Sequence, residues 1–164
     1  MKKITILVII CLCLVAIAST MTYEQQTIVP ELRTILKNEP FKDVLSKIEL
    51  EYWDQTISVE TRGYFYFVEF LIRKATHFIG YGIIGLILYS LYKKLKWRFA
   101  PLLAVATVFI IGSIDEYRQS FTPGRTGVFD DVLIDTAGAI LFVTIATCIS
   151  FLLGKWKGGR RTTR

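Results

Sequence analysis

A single histidine, His77, and three cysteines leave this chain little of the equipment of a disulfide scaffold or a zinc protein. Cys11, Cys13 and Cys148 all lie inside apolar runs, and none belongs to a CxxC pair of the kind that ligates zinc. Residues two apart on a helix face different directions, so Cys11 and Cys13 are poorly placed to pair. Free cysteine in apolar surroundings packs as a small apolar residue. With no second histidine or nearby thiol, no transition-metal site and no cofactor is expected. Ile10 and Leu12 stand before Cys11 and Cys13 where a lipoprotein signal needs a small residue. No internal repeat or low-complexity stretch is present. Acidic residues are missing from three stretches, 1–3, 93–99 and 155–164.

What is there is apolar and comes in blocks. Of 164 residues, 52% are hydrophobic, and the mean hydropathy is +0.45. Four stretches have the length of a membrane span: Ile4 to Met21, Phe65 to Tyr92, Ala100 to Phe121 and Asp131 to Gly154. The expected fold is an all-α integral membrane protein with four transmembrane helices. It divides into a first helix or signal anchor (1–21), an extracytoplasmic segment (22–63), a three-helix core (64–154) and a basic tail (155–164). The net charge of +6 is distributed as a topology signal rather than a nucleic-acid footprint. The three acid-free stretches hold eleven lysines and arginines, which places them, and both termini, in the cytoplasm. The motif Ala16-Ile17-Ala18 offers a signal-peptidase site, so the first span reads as a retained anchor or as a cleaved leader.

Residues 22–63 carry Leu32, Ile35 and Leu36, then Phe41, Val44, Leu45 and Ile48, at helical spacing. Pro30 and Pro40 each suit a first helical turn. Two short amphipathic helices are expected, resting on the leaflet or on the bundle. Tyr52, Trp53, Tyr64 and Tyr66 suit an interfacial aromatic belt.

Ionisable residues within spans are costly and mark functional sites. Glu69, Arg73, His77 and Tyr81 recur every four residues on one face of the second span, with Lys74 beside them. The third span ends in Asp115, Glu116, Arg118 and Gln119; the fourth opens with Asp130, Asp131 and Asp135. Between them Thr122-Pro123-Gly124-Arg125 reads as a tight turn carrying Arg125 to the outer surface. Counted from the cytoplasmic ends, Arg73 and Asp135 lie about 30 Å away and Asp115 about 22 Å. The charges therefore meet at one level, where Arg73 and Lys74 are expected to neutralise carboxylates of the third and fourth spans. Four cations against six carboxylates leave two carboxylates to be protonated, to face water or to hold a hard cation. Gly80, Gly82, Gly85, Gly112 and Gly138 permit close helix approach.

At these residues the sequence resembles the VanZ-like family. The resemblance rests on FVEFLIRKATHFIGYGIIGL and SIDEYRQSFTPGRTGVFDDVLIDTAGA and covers about Gly63 to Leu153. Thr76 stands where a small apolar residue is common, and Phe142 where a second glycine is often found after Gly138. The resemblance implies a multi-spanning protein of the bacterial plasma membrane, associated through the namesake with low-level teicoplanin resistance; it implies no reaction.

The expected function is an outer-face binding or modulating protein. Its partners would be membrane lipids, a lipid-linked wall precursor or a glycopeptide, and not nucleic acid. The candidate ligand-binding set is Arg73, Lys74, His77, Tyr81, Asp115, Glu116, Gln119, Arg125, Asp131 and Asp135. Arg125 is the candidate phosphate-binding guanidinium. An intramembrane enzyme with His77, Asp115 and Glu116 as acid–base groups, and a membrane scaffold protein, are the alternatives.

Overall fold

The computed structural model describes the backbone of residues 2–159 and side chains through Leu153. The elements in chain order are α1 (Lys2–Thr20), α2 (Tyr23–Gln26), α3 (Val29–Ile35), α4 (Lys42–Leu45), β1 (Leu50–Tyr52), β2 (Gln55–Ile57), α5 (Val59–Arg62), α6 (Tyr64–Lys94), α7 (Ala100–Gln119) and α8 (Phe129–Gly159). Four helices, α1, α6, α7 and α8, are long and apolar enough to cross a membrane. The fold is that of an all-α membrane protein. Helix α8 runs on into the stretch expected as a basic tail; Arg160, Arg161 and Arg164 lie outside the described residues.

Each span forms where an apolar block is long enough to be covered by lipid. Its outward residues, such as Ile79, Ile83, Leu102, Ile110, Ile114 and Ile140, stay exposed on the bundle surface. Helix α6 packs most extensively on α8, then both pack on α7, while α1 leans on α6 and α7. The apolar core lies between Tyr81, Ile84, Leu88, Ala104, Val108, Ala139 and Val143, with Val8, Cys11 and Val15 of α1 packed against it. Gly138 makes the α6–α8 crossing possible, because a Cβ there would stand 2.0 Å from the Phe78 carbonyl oxygen. At Gly82 the Phe142 ring fills the space a side chain would take, 2.9 Å from where a Cβ would be. The missing second glycine is thus compensated by a ring on a glycine of the opposite helix. Gly80, expected at a helix contact, has nothing within 4 Å of a Cβ position and makes none.

The segment between α1 and α6 differs from two amphipathic helices. Pro30 does open α3, but Pro40 precedes the start of α4, whose cap residue Phe41 is left-handed. The sequence from Leu50 forms a hairpin, with Leu50 opposite Ile57 and Tyr52 opposite Gln55. Its two turn residues, Trp53 and Asp54, both have positive φ, 48° and 56°. Such a turn matches the twist of the strands but is usually announced by Asn-Gly or Asp-Gly, and Trp-Asp gives no such signal. The turn is tied down by Asp130, whose carboxylate accepts from the Trp53 amide at 3.0 Å. Ile57, Val59, Tyr64 and Phe67 are buried together, with Leu36, Leu45, Ile48 and Leu50 around them. Ile35, Phe41 and Val44 point away and are exposed. The aromatic residues Tyr52 and Tyr64 are likewise used internally.

Candidate functional site

The charged ends of α6, α7 and α8 meet at the end of the bundle that carries residues 22–63. Three carboxylates there, Glu69, Asp115 and Glu116, and the pair Asp131 and Asp135, are all buried. Such groups are expensive to bury unless they are paired, and the structure pairs most of them in separate ways.

Lys74 of α6 donates to Asp131 of α8 at 2.5 Å and to the Tyr52 hydroxyl at 2.7 Å. Burial, then the adjacent Asp131 carboxylate, pushes the Tyr52 phenol up from its ordinary value, so its oxygen stays neutral. Arg73, one residue earlier, does not reach a carboxylate of α7 or α8 as expected. Its ion pair is with Glu69 on its own helix, at 3.8 Å, and its guanidinium lies 5.1 Å from the centre of the Tyr23 ring. The reason is helical rotation: adjacent residues point about 100° apart, so only one of the two can face α8. Glu69 also accepts from the Tyr23 hydroxyl at 2.6 Å and from the Ile28 amide at 2.8 Å, which fastens the start of α3 to α6.

His77 contacts Asp135 of α8, Nδ1 to Oδ1, at 3.1 Å. The Tyr81 ring stacks beside it, with 6.0 Å between centroids. On α7, Gln119 donates to Asp115 at 2.7 Å. The turn from Thr122 to Arg125 closes through the Arg125 amide and the Thr122 carbonyl, with Gly124 at φ 73°. It then folds back so closely that a Cβ on Gly127 would stand 2.1 Å from the Glu116 carbonyl oxygen. The next amide, of Val128, donates to the Glu116 carboxylate at 3.1 Å. Arg125 is half-buried rather than delivered to the surface. It donates to Gln119 at 2.5 Å and to Gln26 at 2.7 Å. Burial, followed by the nearby Arg73 charge, pulls its guanidinium below the usual value.

Two cavities share this cluster. One, of about 520 Å³, is bounded by the hairpin, α6 and the turn after α7; Arg62, Arg73, Lys74, Arg125, Glu69 and Asp131 supply its charges. The other, of about 340 Å³, is an apolar groove between α1 and α6, lined by Leu14, Val15, Gly80, Ile83 and Ile84. His77, Gln119 and Arg125 belong to both. Glu69 and Asp131 are engaged by Arg73 and Lys74, so Arg62 and Arg125 are the cavity cations without a carboxylate partner among the described residues.

The ten candidate residues therefore lie in one neighbourhood, although Arg73 and Lys74 face different partners. Tyr23, Gln26 and Arg62 were not in the set. Each comes from the segment before α6, and no spacing in the sequence ties Tyr23 to Glu69, 46 positions away.

The family model described as VanZ/LLP1 matches residues 4–152. The chain belongs to the VanZ/LLP1 family. The match is wider than the two motifs, because it takes in α1 and the segment before α6, the parts that complete the cavity and the groove. Searches of the curated proteins and of the solved structures each found no match.

Proposed function

We propose that this VanZ/LLP1 family protein binds an anionic lipid headgroup, free or carried by a lipid-linked wall precursor, at the outer face of a bacterial cell membrane. One observation carries the reading: the polar cavity and the apolar groove meet at His77, Gln119 and Arg125. A molecule with a charged head and an apolar tail fits that junction, the head toward the cations and the tail along α1 and α6. Arg125 and Arg62 are the cavity cations that no carboxylate among the described residues meets in an ion pair, and arginine suits the oxygens of a phosphate. The acid-free stretch 93–99 lies at the opposite end of the bundle, so the positive-inside rule directs the cavity outward and both termini inward. A glycopeptide antibiotic or the headgroup it recognises would meet the protein at this same opening. The test is thermal stability of the purified protein in mixed micelles. Phosphatidylglycerol should raise the melting temperature and phosphatidylcholine should not, and Arg125→Ala should abolish the difference while remaining folded. Equal responses to the two lipids in the unsubstituted protein would refute the reading.

A further inference from the structure

Each helix of the core contributes one residue to a second arrangement beneath the cavity. His77 of α6, Glu116 of α7 and Asp135 of α8 each offer a ligand atom within 4.8 Å of the other two. We infer that these three residues bind one divalent transition-metal ion of the manganese-to-zinc group. The inference does not rest on lipid binding, since it concerns the carboxylates below the cavity rather than its cations.

Three observations support it. The first is unmet bonding capacity. Glu116 Oε1, Asp135 Oδ2 and Asp115 Oδ1 are buried oxygens without a hydrogen-bond partner among the described residues. Asp135 is wholly buried and Glu116 is 4% exposed. Native structures rarely leave buried acceptors orphaned, and an unseen ion is one of the standard reasons. The second is charge. Asp115, Glu116 and Asp135 lie together with only His77 in ion-pair reach, because Lys74 is held by Asp131 and Arg73 by Glu69. A divalent cation offsets that excess. The third is geometry. At metal–ligand bonds of about 2.1 Å, two ligands of one ion stand roughly 3.0–3.4 Å apart. His77 Nδ1 and Asp135 Oδ1, at 3.1 Å, already form such an edge. From a separation of at most 4.8 Å, closing the set needs an inward movement of about 1.8 Å at most, within reach of a Glu116 side-chain rotation. Gly112, one turn before Glu116, leaves Asp135 Oδ2 its place on α7: a Cβ there would come within 3.3 Å of that oxygen.

The donor set selects the ion. One imidazole with two carboxylates suits zinc, manganese or iron better than magnesium or calcium, which prefer oxygen alone, and better than copper(I), which prefers sulfur. A single histidine in the sequence argued against such a site; carboxylates from two other helices complete the set. Three protein ligands leave coordination positions open for water or another oxygen ligand. His77 lines the 520 Å³ cavity, which provides the route.

The experiment uses the full-length protein in detergent, stripped with a chelator and titrated separately with Zn²⁺ and Mn²⁺. One equivalent of either ion should bind, read by calorimetry and elemental analysis. His77→Gln and Glu116→Gln should each weaken binding about tenfold or more. Asp130→Asn, at the hairpin, should bind as the unsubstituted protein does. Should a variant fail to fold, electron spin-echo spectra of the Mn²⁺-loaded unsubstituted protein decide, because ligation by His77 requires a ¹⁴N coupling. No stoichiometric binding of either ion, binding unchanged in both variants, or a bound Mn²⁺ without nitrogen coupling would each overturn the inference.

Discussion

The two ends of the bundle carry the same kinds of residue and use them in opposite ways. At the end covered by residues 22–63, Arg73, Lys74 and Arg125 each have named protein partners, and Lys74 and Asp131 are nearly out of solvent. At the other end, Lys93, Lys94, Lys96 and Arg98 are exposed and form no ion pair among the described residues. Lys93 and Arg98 lie over the rings of Tyr89 and Phe99. Charge at the border of a span is thus not one thing. Where the opposing helices bring carboxylates, it becomes part of the fold; where a short connection brings none, it stays exposed.

Substitutions can break this comparison. The largest effect is expected for Lys74→Ala, which leaves Asp131 buried without its cation and should cost about 3–5 kcal/mol. Membrane abundance and melting temperature in detergent should both fall, and the paired exchange Lys74→Asp with Asp131→Lys should recover part of the loss. Unchanged stability in Lys74→Ala would mean that the two ends do not differ. Arg73→Ala comes next, at roughly 1 kcal/mol, since its pair with Glu69 is long and partly exposed and Glu69 keeps two other donors. A loss equal to that of Lys74→Ala would show that Arg73, too, holds a buried carboxylate of α7 or α8. Lys94→Ala should stay within about 0.5 kcal/mol, as exposed substitutions do. The comparison is sharpened by labelling in a background without the native cysteines. Glu60→Cys should react with an impermeant maleimide on intact cells, and Arg98→Cys only after permeabilisation. The reverse pattern would invert the proposed orientation while leaving the stability series untouched.

The spans were legible because lipid imposes one simple condition, about twenty apolar residues, on every one of them. The level of the charged cluster followed from counting residues at a fixed rise per residue, and the structure brings His77, Asp115, Glu116, Asp131 and Asp135 together. What the sequence did not reveal was rotation and loop geometry. Arg73 and Lys74 look interchangeable in a string, yet only Lys74 meets α8. The hairpin was missed because Trp53-Asp54 is an unusual occupant of a turn with two positive φ angles. Tyr23, Gln26 and Arg62 were missed because their roles depend on how that segment folds over α6. Gly80 shows the converse, a residue type that suggests contact at a position where the helices stand apart.

The last turn of α1 bears on how the protein is made. The Ala16 carbonyl accepts from Arg118, the Ser19 carbonyl from Thr122, and the Ala18 carbonyl from Gln26. The Gln26 amide arises only eight positions later. Arg118 and Thr122 follow their acceptors by 102 and 103 residues, so they are translated only after α6 and most of α7. The contacts of Arg118 and Thr122 with the end of α1 therefore form only once α7 has been made, which makes them late contacts in assembly. A chain interrupted before α7 would carry α1 but lack the groups that lock it, leaving it loosely held and open to the quality-control proteases that survey unfinished membrane proteins.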